Sequence, residues 1–220
     1  MESNTLSEKR AQSTKRILDA AAEVFSEVGY AGARVDEIAR RAGINKAMIY
    51  YRIGDKQVLY EQVLHDIFEK LAMQIARNLK DVQTPEEKLK MFIRNILRAM
   101  DRRPHFAPIM MRELASGTRV FPETVGQYVA RIIGTLAEIL KDGETKKVFT
   151  KTNPFLLHMM IVGTGVFYRM SGPIRSSQTI IPESFRKLDE TVSKDIGKEI
   201  ERIILNGIRK QGPGSGQTVS

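Results

Sequence analysis

The stretch that decides the fold is residues 25–59, FSEVGYAGARVDEIARRAGINKAMIYYRIGDKQVL. Its apolar residues recur at helical spacing, and glycine supplies the breaks between them. This pattern predicts two short helices, at 35–42 and 46–52. Between them, Gly43 can adopt the positive φ of a tight turn, and Asn45 can cap the second helix. Two short helices joined by such a turn are typical of a helix-turn-helix.

The second of these helices is short enough to lie in the major groove of DNA, with its N-terminal residues facing base edges. Lys56 follows in the first turn of the next helix, where free backbone N–H groups also favour an anion. Between Tyr30 and Lys56 six bases oppose three acids, so the segment carries a net charge of +3 that suits contact with phosphates. Polar-tipped side chains that could contact DNA from the second helix are Lys46, Tyr50, Tyr51 and Arg52.

The rest of the chain shows helical periodicity and no convincing strand alternation, so we predict an all-α protein of about nine helices. The first helix is expected from Ser7 or Ser13 to Val28, and the last one over residues 183–210. We place an N-terminal three-helix bundle with the helix-turn-helix at 1–54 and a larger helical domain at 55–210. Residues 211–220 are rich in glycine and serine and are expected to form a disordered tail.

The composition argues against a membrane-spanning, secreted or disulfide-bonded protein. The chain has 220 residues, of which 42% are hydrophobic and 28% charged, an ordinary soluble composition. The polar start predicts no signal peptide, and the longest uncharged run, Thr152–Tyr168, is too short to span a membrane. The absence of cysteine excludes disulfides and thiol catalysis and fits a reducing cytoplasm.

Charge and chemistry add two further expectations. The net charge is +9, and residues 141–220 carry +5 of it. This surplus lies outside the segment from Tyr30 to Lys56, so the predicted DNA contacts do not explain it. The three histidines are too scattered for a metal site, and no grouping of nucleophile, base and acid or phosphate loop is present. We therefore expect no metal, no cofactor and no enzyme activity.

Residues 13–60 resemble the N-terminal domain of the TetR family of transcriptional regulators. The resemblance lies in residues that keep the family's order and spacing: Ala21-Ala22-Glu23-Val24-Phe25, Gly29-Tyr30, Ile38-Ala39, Ala42-Gly43-Ile44-Asn45-Lys46, Ile49-Tyr50, Lys56 and Leu59. It implies an all-α homodimer that binds a palindromic operator. Its third helix would enter the major groove, and the first turn of its fourth helix would grip phosphate.

Carried over by position, the resemblance implies that Lys46, Tyr50 and Lys56 contact phosphate or groove. Tyr51 and Arg52 would then discriminate sequence. Asn45 completes the predicted set together with Arg34, which stands where the family usually has a capping serine or threonine. Arg34 cannot cap the helix, but its side chain is long enough to replace the phosphate contact.

Two other departures from the family pattern bear on which operator sequence is recognised and leave the expectation of DNA binding unchanged. Arg52-Ile53 replaces the usual His-Phe pair after the tyrosines of the third helix. This change keeps an apolar residue and puts a guanidinium at the groove. Ala47-Met48 replaces the common Gly-Thr.

The resemblance also implies a small-molecule effector and a dimer interface in the C-terminal domain. The expected lining is mostly apolar, which suggests a hydrophobic or aromatic effector: Phe92, Ile96, Phe106, Met110, Met111, Arg112, Tyr128, His158, Met159, Phe167 and Tyr168. The last two helices would form the interface, through an apolar stripe that needs a partner: Phe185, Leu188, Val192, Ile196, Ile200, Ile203 and Ile204.

These features predict a transcriptional repressor that an effector releases from its operator. Three alternatives stay open: an activator, a DNA-binding protein of the same fold without an effector, and an enzyme with an accessory DNA-binding domain.

Overall fold

The computed structural model describes residues 2–117, 121–177, 179–193 and 195–210. No strand occurs among these residues, which contain one isolated antiparallel bridge, between Phe149 and Arg209. The predicted all-α class is confirmed, whereas the predicted tail lies outside the described residues. The described helices are α1 (Glu2–Gly32), α2 (Val35–Ala42), α3 (Lys46–Arg52), α4 (Lys56–Leu79), α5 (Pro85–Arg102), α6 (Phe106–Ser116), α7 (Glu123–Thr145), α8 (Pro154–Met170), α9 (Gly172–Arg175), α10 (Glu183–Ser193) and α11 (Ile196–Ile208).

The first helix is longer than predicted at both ends. α1 begins at Glu2, before either predicted start, and extends to Gly32 through a break at Gly29, where φ is 70°. A side chain other than glycine is strained at that φ, so Gly29 permits the change of direction.

The chain forms two compact units. The N-terminal unit comprises the residues up to Lys70 together with Arg102–Val129. The C-terminal unit comprises Leu71–Asp101 together with the described residues from Ala130 onward. The predicted domain boundary after residue 54 stays a prediction.

Each unit has its own apolar core. The N-terminal core contains residues from α1 to α4 whose side chains are fully or almost fully buried: Ile17, Ala21, Phe25, Ile38, Ile49, Leu59 and Leu64. In the C-terminal core, the ring of Phe149 packs against Gly143. A Cβ on Gly143 would lie 2.0 Å from Cδ2 of Phe149, so a larger residue there would displace the ring. Buried with it are Leu89, Phe92, Ile93, Leu136 and Ile161.

The last predicted helix is two helices. Asp195 interrupts it with an extended φ of −162°, and its carboxylate accepts a hydrogen bond from the backbone N–H of Lys198, at 3.1 Å. Asp195 is therefore the N-cap of α11. This break and the four-residue α9 account for eleven described helices where about nine were predicted. None of the described helices combines the length and the apolar character that crossing a membrane requires.

Candidate functional site

The turn between α2 and α3 has the predicted chemistry. Gly43 takes a left-handed conformation with φ 64°, and its N–H bonds the carbonyls that end α2. Asn45 caps α3 by accepting a hydrogen bond from the N–H of Ala47, at 2.9 Å. Arg34 precedes α2 in extended conformation without capping it. These local bonds fix the start of α3 relative to the end of α2.

α3 is anchored by one fully buried side chain, Ile49. Ala47, in the first turn of α3, is exposed. Tyr50 is 47% exposed and Tyr51 is 82% exposed. A helix of seven residues thus presents two large aromatic side chains to solvent.

Lys46 and Lys56, two cations of the predicted interface, are held by partners within the N-terminal unit. Nζ of Lys46 donates to Oδ2 of Asp36 on α2, at 2.9 Å. This hydrogen bond raises the pKa of Lys46, so the residue is charged at neutral pH. Nζ of Lys56 donates to the carbonyl of Ala33, at 3.1 Å, and lies 4.5 Å from the centroid of the Tyr30 ring.

The two arginines are more available. The guanidinium of Arg52 reaches the carbonyl of Arg10 at 3.5 Å, the outer limit for a hydrogen bond. Arg34 is exposed, and its guanidinium forms no hydrogen bond or ion pair with the part of the chain that the structure describes. Both guanidinium groups therefore keep most of their donors for another partner.

A cluster of charges that the sequence did not single out ties α2 to α1. The guanidinium of Arg41 on α2 forms ion pairs with Glu27 and Glu37 at 2.7 Å, and with Glu23 at 3.1 Å. Hydrogen bonds from Arg40 and Arg41 lower the pKa of Glu37 to about 2. Arg41 thus bridges α1 and α2. The helical spacing of Arg41 and Glu37 was readable, whereas the contacts with α1 were not.

α6 packs against α1 and contacts it through a residue predicted to bind effector. Nε of Arg112 donates to the carbonyl of Ser26, at 3.0 Å, and a second nitrogen donates to the carbonyl of Glu27. His105, just before α6, bonds the hydroxyl of Ser26 at 3.0 Å. The guanidinium of Arg112 thus holds the carbonyls of α1, and its role in effector binding stays a prediction.

The predicted effector residues are divided between the two units. In the C-terminal unit, Phe92 and Ile96 are core residues and Tyr168 lies under the guanidinium of Arg175, 3.6 Å from its ring centroid. Met159 and Phe167 are exposed. In the N-terminal unit, the remaining residues besides Arg112 are buried Phe106, partly exposed Met110, exposed Met111, and Tyr128, whose hydroxyl lies 2.9 Å from Nε2 of His65.

His158 is the predicted effector residue with the most unusual surroundings. Its imidazole is 8% exposed, and Nδ1 has no hydrogen-bond partner among the described residues. Burial lowers the pKa of His158, so the ring is neutral at pH 7. A buried polar atom without a partner is costly. His158 on α8 therefore has an unused hydrogen-bonding position.

The predicted dimer residues differ in exposure, and their place in an interface stays a prediction. Ile200 and Ile204, both on α11, are buried within the protomer. Phe185, Leu188 and Ile203 are exposed, whereas Val192 and Ile196 are partly exposed. A larger exposed apolar surface lies on α8: Phe155, Leu156, Met159, Met160 and Phe167.

Comparisons with known proteins cover most of the chain. The family model of bacterial regulatory proteins of the tetR family matches residues 17–63, and that of a tetracyclin repressor-like C-terminal domain matches residues 85–179. The HTH-type transcriptional repressor NicS of Pseudomonas putida is 28% identical over 209 residues, covering 91% of this chain and 96% of NicS.

Two solved structures share the fold. The fatty acid degradation regulator FadR from Bacillus halodurans aligns with a TM-score of 0.68 at 22% identity, covering 90% of this chain and 97% of that one. The transcriptional regulator FadR from Bacillus subtilis, solved in complex with stearoyl-CoA, aligns with a TM-score of 0.64 at 20% identity, covering 88% and 98%. With a helix-turn-helix in the matched N-terminal region, the chain belongs to the TetR family of transcriptional regulators.

Proposed function

We propose that this regulator is a repressor that binds a palindromic operator as a homodimer and leaves it when a small, largely apolar effector binds. The observation that carries the DNA-binding part is the surface of α3, which buries Ile49 and exposes Tyr50 and Tyr51. Exposed aromatic hydroxyls flanked by cations are suited to a phosphate backbone and to base edges. The name of the relative NicS, a transcriptional repressor, supports repression over activation.

The contacts of each cation refine its proposed role. Lys46 and Lys56 bind phosphate, and each ammonium has at least one N–H beyond those its present partners use. Arg34 adds a phosphate contact. Arg52 reads a base together with Tyr51, since a guanidinium with a single weak bond can turn its fork toward guanine. Asn45 acts chiefly as the cap that sets the angle of α3.

The DNA roles are tested by comparing binding to random DNA with binding to the sites recovered by genomic footprinting. Lys46→Ala and Tyr50→Phe should weaken both complexes similarly, because phosphates carry no sequence information. Arg52→Ala should cost ~1–3 kcal/mol on the recovered site and little on random DNA. Lys15→Ala, which removes an exposed charge on α1, is the matched control. Unchanged discrimination in Arg52→Ala would show that the specificity residue lies elsewhere.

His158 supports the effector part of the proposal. A neutral imidazole with a free Nδ1 can hydrogen-bond a polar group of a ligand whose remainder is apolar. The transcriptional regulator FadR from Bacillus subtilis, which shares the fold, was solved in complex with stearoyl-CoA, and the long apolar chain of that ligand supports an apolar effector here. We therefore propose an effector with an apolar body and one polar head, which bonds His158.

Calorimetric titration of the full chain with lipophilic and aromatic carboxylates, amides and alcohols tests this assignment. A compound that binds and releases DNA should lose at least about tenfold in affinity with His158→Phe, since one buried hydrogen bond is lost. DNA binding without the compound should be unchanged. If no lipophilic compound binds while polar metabolites release the DNA, the proposed effector class is wrong. If repression persists under every compound, the chain acts without an effector.

A further inference from the structure

Asp36 is the one acidic residue that is paired with a predicted DNA contact, among the residues that the structure describes. Its carboxylate holds the ammonium of Lys46 at 2.9 Å, across the turn of the helix-turn-helix. Lys56 and Arg52 donate instead to backbone carbonyls, and Arg34 forms no ion pair among the described residues. Asp36 is thus an anion bound to the same ammonium, that of Lys46, which a DNA phosphate is expected to contact.

We propose that Asp36 competes with DNA phosphate for Lys46 and thereby limits how tightly the helix-turn-helix binds DNA, an inference that rests on the proposed DNA-binding function. In the free protein Lys46 is bonded to Asp36. On DNA the ammonium turns to a phosphate oxygen, and the carboxylate is left without its partner beside a polyanion. Each step of this exchange uses groups already at the surface.

The exposure of the pair makes the exchange possible. The Lys46 side chain is 44% exposed and that of Asp36 is 71% exposed. An exposed ion pair shifts an equilibrium by no more than about fivefold, so DNA can break it. A buried pair would instead lock Lys46 away from DNA, because breaking it leaves an uncompensated buried charge.

The competition has a signature in the salt dependence of binding. Each phosphate that a protein neutralises releases a counterion and steepens the fall of affinity with salt. With Asp36 present, part of the gain from Lys46 is cancelled by the carboxylate left near DNA. Removing the carboxylate should therefore raise the affinity and make its salt dependence steeper by up to about one counterion for each α3.

The test uses the full chain and fluorescence anisotropy with a labelled random-sequence duplex over a series of salt concentrations. Asp36→Asn should bind about two- to fivefold tighter for each α3 that contacts the duplex, with the steeper salt slope. Asp36→Glu keeps the charge and should restore wild-type behaviour. In a Lys46→Ala background Asp36→Asn should have a clearly smaller effect, because the competition for the cation is gone and only the repulsion between the carboxylate and DNA remains.

A matched control separates competition from a general change in charge. Asp19→Asn removes another exposed carboxylate of the N-terminal unit, one that is paired with Lys15, and should change the affinity less. Asp36→Asn that weakens binding, or acts equally with and without Lys46, overturns the proposal, while thermal unfolding shows whether each variant is folded. A wild-type protein that binds no duplex at all would instead overturn the proposed function itself.

Discussion

A buried carboxylate on α6 illustrates how single residues link the helices of the N-terminal unit. Glu113 is 3% exposed and accepts a hydrogen bond at Oε1 from the hydroxyl of Tyr60 on α4, which is itself 1% exposed. The second oxygen, Oε2, has no partner among the described residues. Burial, followed by the hydrogen bond to Glu113, raises the pKa of Tyr60. The Tyr60 ring packs edge-on against Phe25 of α1, with ring centroids 4.7 Å apart.

Removing the hydroxyl should be costly although it deletes a single atom. Tyr60→Phe leaves Glu113 buried with neither oxygen bonded, and we expect the free energy of unfolding to fall by ~2 kcal/mol. The double variant Tyr60→Phe/Glu113→Leu should recover most of this loss, since replacing both partners by apolar groups is close to neutral. Urea unfolding at one fixed protein concentration measures both changes. A double variant no more stable than the single one would contradict this account.

Among the helices, the predictable ends are those that hydrogen bonds between residues close in sequence define. Gly43 and Asn45 end α2 and start α3 through bonds within a few residues, so turn chemistry alone located them. The prediction of α1 failed at both ends, and the prediction of the last helix failed in its interior. The interior break occurs at Asp195, which caps α11. A single aspartate within a helical apolar pattern does not predict such a cap, since aspartate also occurs on exposed helix faces.

Side-chain roles that depend on distant partners could not be predicted in this way. Arg112 contacts carbonyls that are 86 and 85 residues away in the chain, and no periodicity encodes them. An apolar stripe shows that a helix face is covered but not what covers it. The stripe therefore did not reveal that Ile200 and Ile204 pack in their own protomer. The Asp36–Lys46 pair was visible in the sequence only as two opposite charges.

Over the whole molecule, α11 is held to its own protomer by more than apolar packing. Glu201 on α11 is buried and forms an ion pair with Arg94 of α5 at 2.6 Å. Arg209, just after α11, pairs with Glu86 at the start of α5, also at 2.6 Å. Between the first pair and the second, the residue number rises along α11 and falls along α5, so α11 lies antiparallel to α5. Because α11 packs against its own protomer, the more extensive exposed apolar face is that of α8.

The exposed face of α8 leads to a prediction about assembly. Phe167 is 67% exposed and Leu156 is 60% exposed, on a helix whose opposite face is buried. In a twofold dimer each patch meets its own copy, so one substitution changes both sides of the interface. Phe167→Glu would bring two carboxylates into an apolar contact, which costs several kcal/mol, and should convert a dimer to monomers.

Sedimentation velocity of the full chain, followed by binding to the footprinted site, tests this arrangement. Wild type should sediment as a dimer, and Phe167→Glu as a monomer that binds the palindrome weakly, since one recognition helix then lacks its twofold partner. Met73→Glu, at a 57% exposed apolar position on α4 in the same unit, is the matched control and should stay dimeric. A Phe167→Glu protein that remains dimeric would move the interface away from this part of α8, and the exposed residues Phe185 and Leu188 of α10 would become the next positions to substitute.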